Sequence, residues 1–146
     1  MKKLILLFFV VIDIIIADTL TKYWAHISDP HFPVLGEFLR VDHVKNTGVA
    51  FGTQLPGIDW IIPVILVLIG AFLSKKWSEL SEYEKTGYLF ILTGGSLNAV
   101  ERMIFGSVTD FINVPFFSVF NVADMAITAG VILLFWHSIA HNHAQK

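Results

Sequence analysis

Four long apolar stretches constrain this chain more than any other feature. They run from Leu4 to about Ala17 and on toward Trp24, from about Ile58 to Leu73, from about Tyr88 to Ile104, and from about Phe117 to Ile139. With its flanks, each approaches the ~20 residues that a membrane-spanning helix needs. Lipid offers no partner to an unpaired backbone N–H or C=O, so such spans must close their hydrogen bonds internally; helices satisfy this and open strands are excluded. Composition agrees: 55% of the 146 residues are hydrophobic and 15% charged, against roughly 45–50% and 25% in soluble domains. Mean hydropathy is +0.68. The expected fold is an all-α membrane protein with four transmembrane helices, a single domain over residues 1–146.

The first stretch has a competing reading. Lys2-Lys3 followed by Leu4 through Ile12 looks like the start of a secretory signal. Asp13 interrupts that run, no clean small-x-small cleavage site comes after it, and apolar sequence continues, so an uncleaved first helix is expected. Lys2, Lys3, Lys75, Lys76, Lys85 and Lys146 fall at the two ends and in the connection between helices two and three. An even number of spans puts these regions on one side, the cytoplasmic one by the distribution of basic residues. The opposite connection, about His26 to Asp59, is too long for a tight turn. Phe38 to Val44 partly alternates and is rich in strand formers, and the turn signals Thr47-Gly48 and Phe51-Gly52 come after it. A small extracytoplasmic β-element between helices one and two is expected, resting at the membrane surface.

Two carboxylates then stand where charge is costly. Asp110 closes Gly106-Ser107-Val108-Thr109-Asp110, and Asp124 closes Phe120-Asn121-Val122-Ala123-Asp124 at the mouth of the fourth stretch. An ionisable residue there is a functional-site hypothesis by default. Two carboxylates in close contact in a partly dry site cannot both ionise easily, so they share a proton. The ionised partner can take a proton from water while the protonated one polarises a carbonyl, which is general acid–base hydrolysis without metal or covalent nucleophile. The structural reading stands beside it: each aspartate caps a helix or pairs with Arg102, with Asp124 or Asn121 capping the fourth helix. Spacing alone does not choose between the two.

Other polar groups bear on the same region. Asp13 is expected to face the bundle interior or a partner helix. Asp18, Thr21 and Lys22 end helix one, where Lys22 can snorkel to the interface. Asn98 and Arg102 share one helical face and can point at one pocket. Gly94-Gly95-Ser96 permits close helix approach. Metal hydrolysis is poorly supported: His137 and His141 share a face with His143 nearby, but they lie at the far end of the chain and no His-Glu-x-x-His pattern occurs. No Gly-x-Ser-x-Gly occurs, and Ser107 has no evident base. The chain has no cysteine and a net charge of -2, which removes thiolate chemistry and gives no sign of nucleic-acid binding.

Five motifs, in order, resemble those of the lipoprotein signal peptidases (signal peptidase II). Asp18-Thr19-Leu20-Thr21-Lys22 is similar to the family's D-x-x-T-K motif. Asn46-Thr47-Gly48-Val49-Ala50-Phe51 matches its N-T-G-x-A-F box, and Gly95 to Arg102 resembles its G-x-x-N-x-x-D-R box. Gly106 to Phe111 and Phe120 to Asp124 match the two boxes that carry the family's aspartates. The resemblance implies an intramembrane aspartic endopeptidase of the bacterial inner membrane with both termini cytoplasmic. It would remove signal peptides from diacylglyceryl-modified prolipoproteins, cutting just before the lipobox cysteine. Asp110 and Asp124 would be the catalytic pair. Asn46, Gly48, Asn98, Arg102, Asn121, Ala123, Asp18 and Lys22 would bind substrate or support the site. No cofactor and no metal are implied; the partners are the lipid bilayer and the lipidated substrate, with the enzyme acting as a monomer.

One departure matters. Position 101 is Glu where the family has Asp, so the carboxylate reaches one methylene further and contacts around Arg102 must be rearranged. The segment from Phe111 to Val119 is read as a short loop, with Phe51 closing over the substrate from the opposite connection. The rival functions are a small proton-coupled transporter, disfavoured by the lack of a broken-helix repeat, and an inactive scaffold that binds lipidated peptides.

Overall fold

The computed structural model describes residues 2–48 and 57–144. Four helices occur, α1 (Lys2–Ser28), α2 (Ile58–Lys76), α3 (Glu82–Phe105) and α4 (Val122–Ala144). Strands β1 (His31–Leu35) and β2 (Leu39–Asn46) lie between α1 and α2, and β3 (Val108–Val114) and β4 (Ser118–Phe120) between α3 and α4. The four strands form one antiparallel sheet in the order β1-β2-β3-β4.

The two connections thus build the sheet together, which corrects the expectation of a β-element confined to the first one. The supposed loop after Phe111 is a hairpin, with Ile112 opposite Phe120 and Val114 opposite Ser118. The fourth helix starts at Val122 and not near Phe117. An apolar run such as Phe117–Phe120 reads alike as strand or helix, because hydropathy cannot separate the two over so short a length. The β2–β3 register slips by one residue between Val41 and Val44, a bulge at Asp42-His43. Beyond it, Val44 sits opposite Asp110.

Helix ends are set by recognisable chemistry. Ser81 Oγ accepts the Glu84 N–H at 3.2 Å while a Glu84 carboxylate oxygen accepts the Ser81 N–H at 2.8 Å, a reciprocal cap that starts α3. Gly106, at φ 72°, ends it, donating its N–H to the Arg102 carbonyl at 2.8 Å. Helices α3 and α4 approach closely along their length. A Cβ on Gly94 would collide with the Ala123 carbonyl, and one on Gly130 with that of Gly87. Small residues at such positions let helix backbones meet.

Burial is the reverse of a soluble domain. The largest fully buried side chains are Asn121, Asp18 and Asp110, while Phe8, Val67, Phe105 and Phe135 are each more than half exposed. Water would penalise that surface, since apolar patches this extensive are not left on soluble monomers. Among the described residues one segment, Val122–Ala140, is long and apolar enough to cross a membrane by length and composition. Asp13, expected in the interior or against a partner helix, is exposed on α1.

Candidate active site

Asp110 and Asp124 come together through one residue, Asn121. Its side-chain nitrogen donates to Asp110 Oδ1 at 2.7 Å, and its backbone N–H donates to Asp124 Oδ2 at 3.2 Å. In return Asn121 Oδ1 accepts the Asp124 N–H at 2.9 Å. This reciprocal pair caps the first turn of α4, which is why the chain leaves β4 and turns into the helix at this point. The structural reading of Asp124 as part of a helix cap is therefore correct, and it is the cap that carries Asp124 to Asp110. Strand β3 supplies Asp110, 2% exposed.

Each carboxylate has a further amide donor. Asn46, at the end of β2, donates to Asp110 Oδ2 at 2.9 Å, and its own oxygen accepts the Gly48 N–H at 2.9 Å. Asn98 of α3 donates to Asp124 Oδ1 at 2.8 Å, and its oxygen accepts from Asn121 at 3.2 Å. Arg102, one turn beyond Asn98 and buried, donates to the Gly48 carbonyl. The expected residues Asn46, Gly48, Asn98, Arg102 and Asn121 thus form one connected network around the two aspartates.

Lys22 does not snorkel. It is buried, and its ammonium meets Asp18 Oδ2 at 2.8 Å, Glu101 Oε2 at 2.9 Å and Asn98 Oδ1 at 2.8 Å. The ammonium donates a hydrogen bond to Asn98 and forms ion pairs with the two carboxylates. Two carboxylates and an amide oxygen hold Lys22 inward because its charge is compensated there, whereas a lone lysine would reach for water. Asp18 Oδ1 also accepts the Ala123 N–H at 2.8 Å, tying α1 to the first turn of α4. Ala123 is fully buried.

Glu101, noted in the sequence as a departure from the family's Asp, was not among the expected supporting residues. Its Oε1 accepts the Thr109 N–H at 2.8 Å, next to Asp110, while Oε2 pairs with Lys22. The longer side chain thereby spans from α1 to β3. The signal that could have found it was the substitution itself, a glutamate beside Arg102 in an apolar helix.

Burial is the main force on Asp110. It pushes the carboxyl up to about 6, reinforced by the negative charge of Asp124 and opposed by hydrogen bonds from Asn46 and Asn121. A carboxyl that keeps its proton into mildly acidic solution, beside a second carboxylate, fits general acid–base work. Phe51, expected to close over this region, lies outside the described residues.

Comparison with known proteins identifies the family. Residues 10–140 match the family model described as signal peptidase (SPase) II. A lipoprotein signal peptidase from Microcystis aeruginosa is 33% identical over 137 residues, covering 88% of each chain. One from Moorella thermoacetica is 34% identical over 131 residues, covering 82% of this chain and 83% of its own. Among solved structures, a bacterial membrane enzyme determined by the in meso method at 2.3 Å resolution is similar with a TM-score of 0.84 and 25% identity, covering 96% of this chain and 91% of that one. A second, at 1.9 Å resolution, gives 0.77 and 26%, with 90% of both chains covered.

Proposed function

Because the chain belongs to the signal peptidase II family of aspartic peptidases, we propose that Asp110 and Asp124 hydrolyse the signal-peptide bond of diacylglyceryl-modified prolipoproteins. The observation that carries this reading is the single asparagine, Asn121, bonded to both carboxylates. The pair holds one proton. The ionised member takes a proton from water, the water oxygen attacks the scissile carbonyl, and the protonated member donates to the carbonyl oxygen. Collapse of the tetrahedral intermediate returns a proton to the leaving nitrogen. The chemistry needs neither metal nor cofactor.

Asn46, Asn98 and Asn121 hold the two carboxylates in place, while Arg102 fixes the Gly48 backbone beside them. Four spans, with both termini cytoplasmic, put the pair and the sheet at the outer face of the inner membrane. A lipidated substrate then enters sideways from the bilayer as a monomeric enzyme's guest, and the cut falls just before the modified cysteine. Purified protein acting on one diacylglyceryl-modified substrate, with mass analysis of the products, tests this. We expect cleavage at that bond, lost by at least about a hundredfold in Asp110→Asn and in Asp124→Asn, general acid–base steps being worth roughly 10²–10⁴. Full turnover by either variant would rule out the pair.

A further inference from the structure

A sizeable cavity among the described residues is lined by neither aspartate. It is an open groove of about 890 Å³ between α1 and α3, on the flank of α3 opposite Gly95, which packs toward Leu66 of α2. Ile15, Leu92, Val100 and Phe105 make its walls apolar, and Asp18, Lys22 and Glu101 form a polar floor whose charges already pair with one another. His26 and Lys45 stand at the end nearest the sheet. Lys45 is exposed and pairs with no carboxylate among the described residues.

Dimensions and polarity both match those of one bilayer leaflet. From Leu92 to Phe105 the groove runs roughly 20 Å at the helical rise of about 1.5 Å per residue, against about 15 Å for half of a ~30 Å hydrocarbon core. Apolar walls run along the groove, and basic groups stand at the end near the sheet. An acyl chain gains little by leaving lipid for an apolar groove, since both surroundings are alike. Selectivity must therefore come from the head group. The carbonyl ends of α1 and α3 repel an anion at their own tips, which leaves Lys45 on β2 as the position for a phosphate, with His26 also lining the groove.

From this we propose that the groove binds one glycerophospholipid of the surrounding bilayer, an acyl chain lying between α1 and α3 and the phosphate at Lys45 and His26. The proposal rests on the membrane-spanning reading but is independent of peptidase activity. Detergent-purified protein incubated with dioleoyl phosphatidylglycerol or with dioleoylglycerol, which lacks the phosphate, is analysed by native mass spectrometry. Wild type is expected to retain one phosphatidylglycerol after bulk lipid is lost, and at least about tenfold less dioleoylglycerol. Lys45→Glu reverses the charge, and Val100→Trp fills the groove; each should lower phosphatidylglycerol retention by about tenfold. Equal retention of both lipids, or equal retention by wild type and both variants, overturns the site. Alkaline carbonate extraction of the same proteins separates the two readings: release from the membrane would defeat the spanning reading, whereas resistant protein with unchanged lipid retention defeats only the groove.

Discussion

Asp110 is the residue on which acid–base behaviour turns. Its carboxyl is pushed up to about 6, so the folded chain binds that proton more tightly than the unfolded one, whose carboxyl titrates near 3.9. The stabilisation is full below the unfolded value and is lost as pH rises through about 6. Asp110→Asn stays neutral, so its melting temperature relative to wild type should rise between pH 4 and pH 7; a constant difference would contradict the burial of this charge. In the free enzyme the same loss of a proton should give kcat/KM a falling limb near pH 6, a property of the pair and not of one residue. Asp42 runs the other way: hydrogen bonds from Arg40 and Asn113 lower it to about 2, so its contribution persists until strongly acid solution. Glu101 offers a second test. With one methylene fewer, Glu101→Asp cannot hold both Lys22 and the Thr109 N–H, and a buried group left unpaired costs about 1–3 kcal/mol. Thermal unfolding in detergent should show that loss, and an unchanged midpoint would mean the bridge from α1 to β3 carries no weight. The residues that gather around Asp110 and Asp124 were legible in the sequence because their motifs are short and ordered. The hub at Lys22 was not, since a lysine at a helix end reads as interfacial until its three acceptors, brought from two helices, are known.

At the scale of elements, the helices were legible and the sheet only half so. A run of apolar residues near span length has one solution in lipid, which is why α1 to α4 can be read from hydropathy. Strand β3 depends on pairing with β2 across a long stretch of chain, with β4 added to it as a hairpin, and no local pattern in Val108–Val114 announces that partner. The start of α4 was misread for a related reason: the cap at Asn121, rather than a change in hydropathy, ends β4 and begins the helix. The contact between α3 and α4 is where element packing meets the site. Gly94 faces the Ala123 carbonyl, one residue before Asp124. Gly94→Val must push the first turn of α4 away, an overpacking cost of typically about 1–3 kcal/mol. We expect a lower melting temperature together with a fall in kcat larger than any rise in KM, because Asp124 moves relative to Asp110. Gly70→Val, on α2 with open space around it, is the control and should leave both unchanged.

For the whole molecule, the polar interior and apolar exterior suit a membrane setting, with Val122–Ala140 long and apolar enough to cross. A carboxylate pair held by asparagines costs less stability in such a setting, because each carboxylate accepts two amide hydrogen bonds at 2.7–3.2 Å. Orientation then decides which compartment receives the cleaved product. Lys75 and Lys76 close α2 on one side, and the sheet lies at the opposite ends of α1 and α3. Basic residues favour the cytoplasm, so the β1–β2 turn should face outward and the α2–α3 connection inward. The chain contains no cysteine, which makes single replacements clean probes. Glu37→Cys, exposed in the β1–β2 turn, should react with a membrane-impermeant maleimide in intact cells stripped of any outer barrier. Ser78→Cys, between α2 and α3, should react only after the inner membrane is opened. The reverse pattern would put Asp110 and Asp124 on the cytoplasmic side, where a signal peptide that has already crossed the membrane could not present its cleavage site to them.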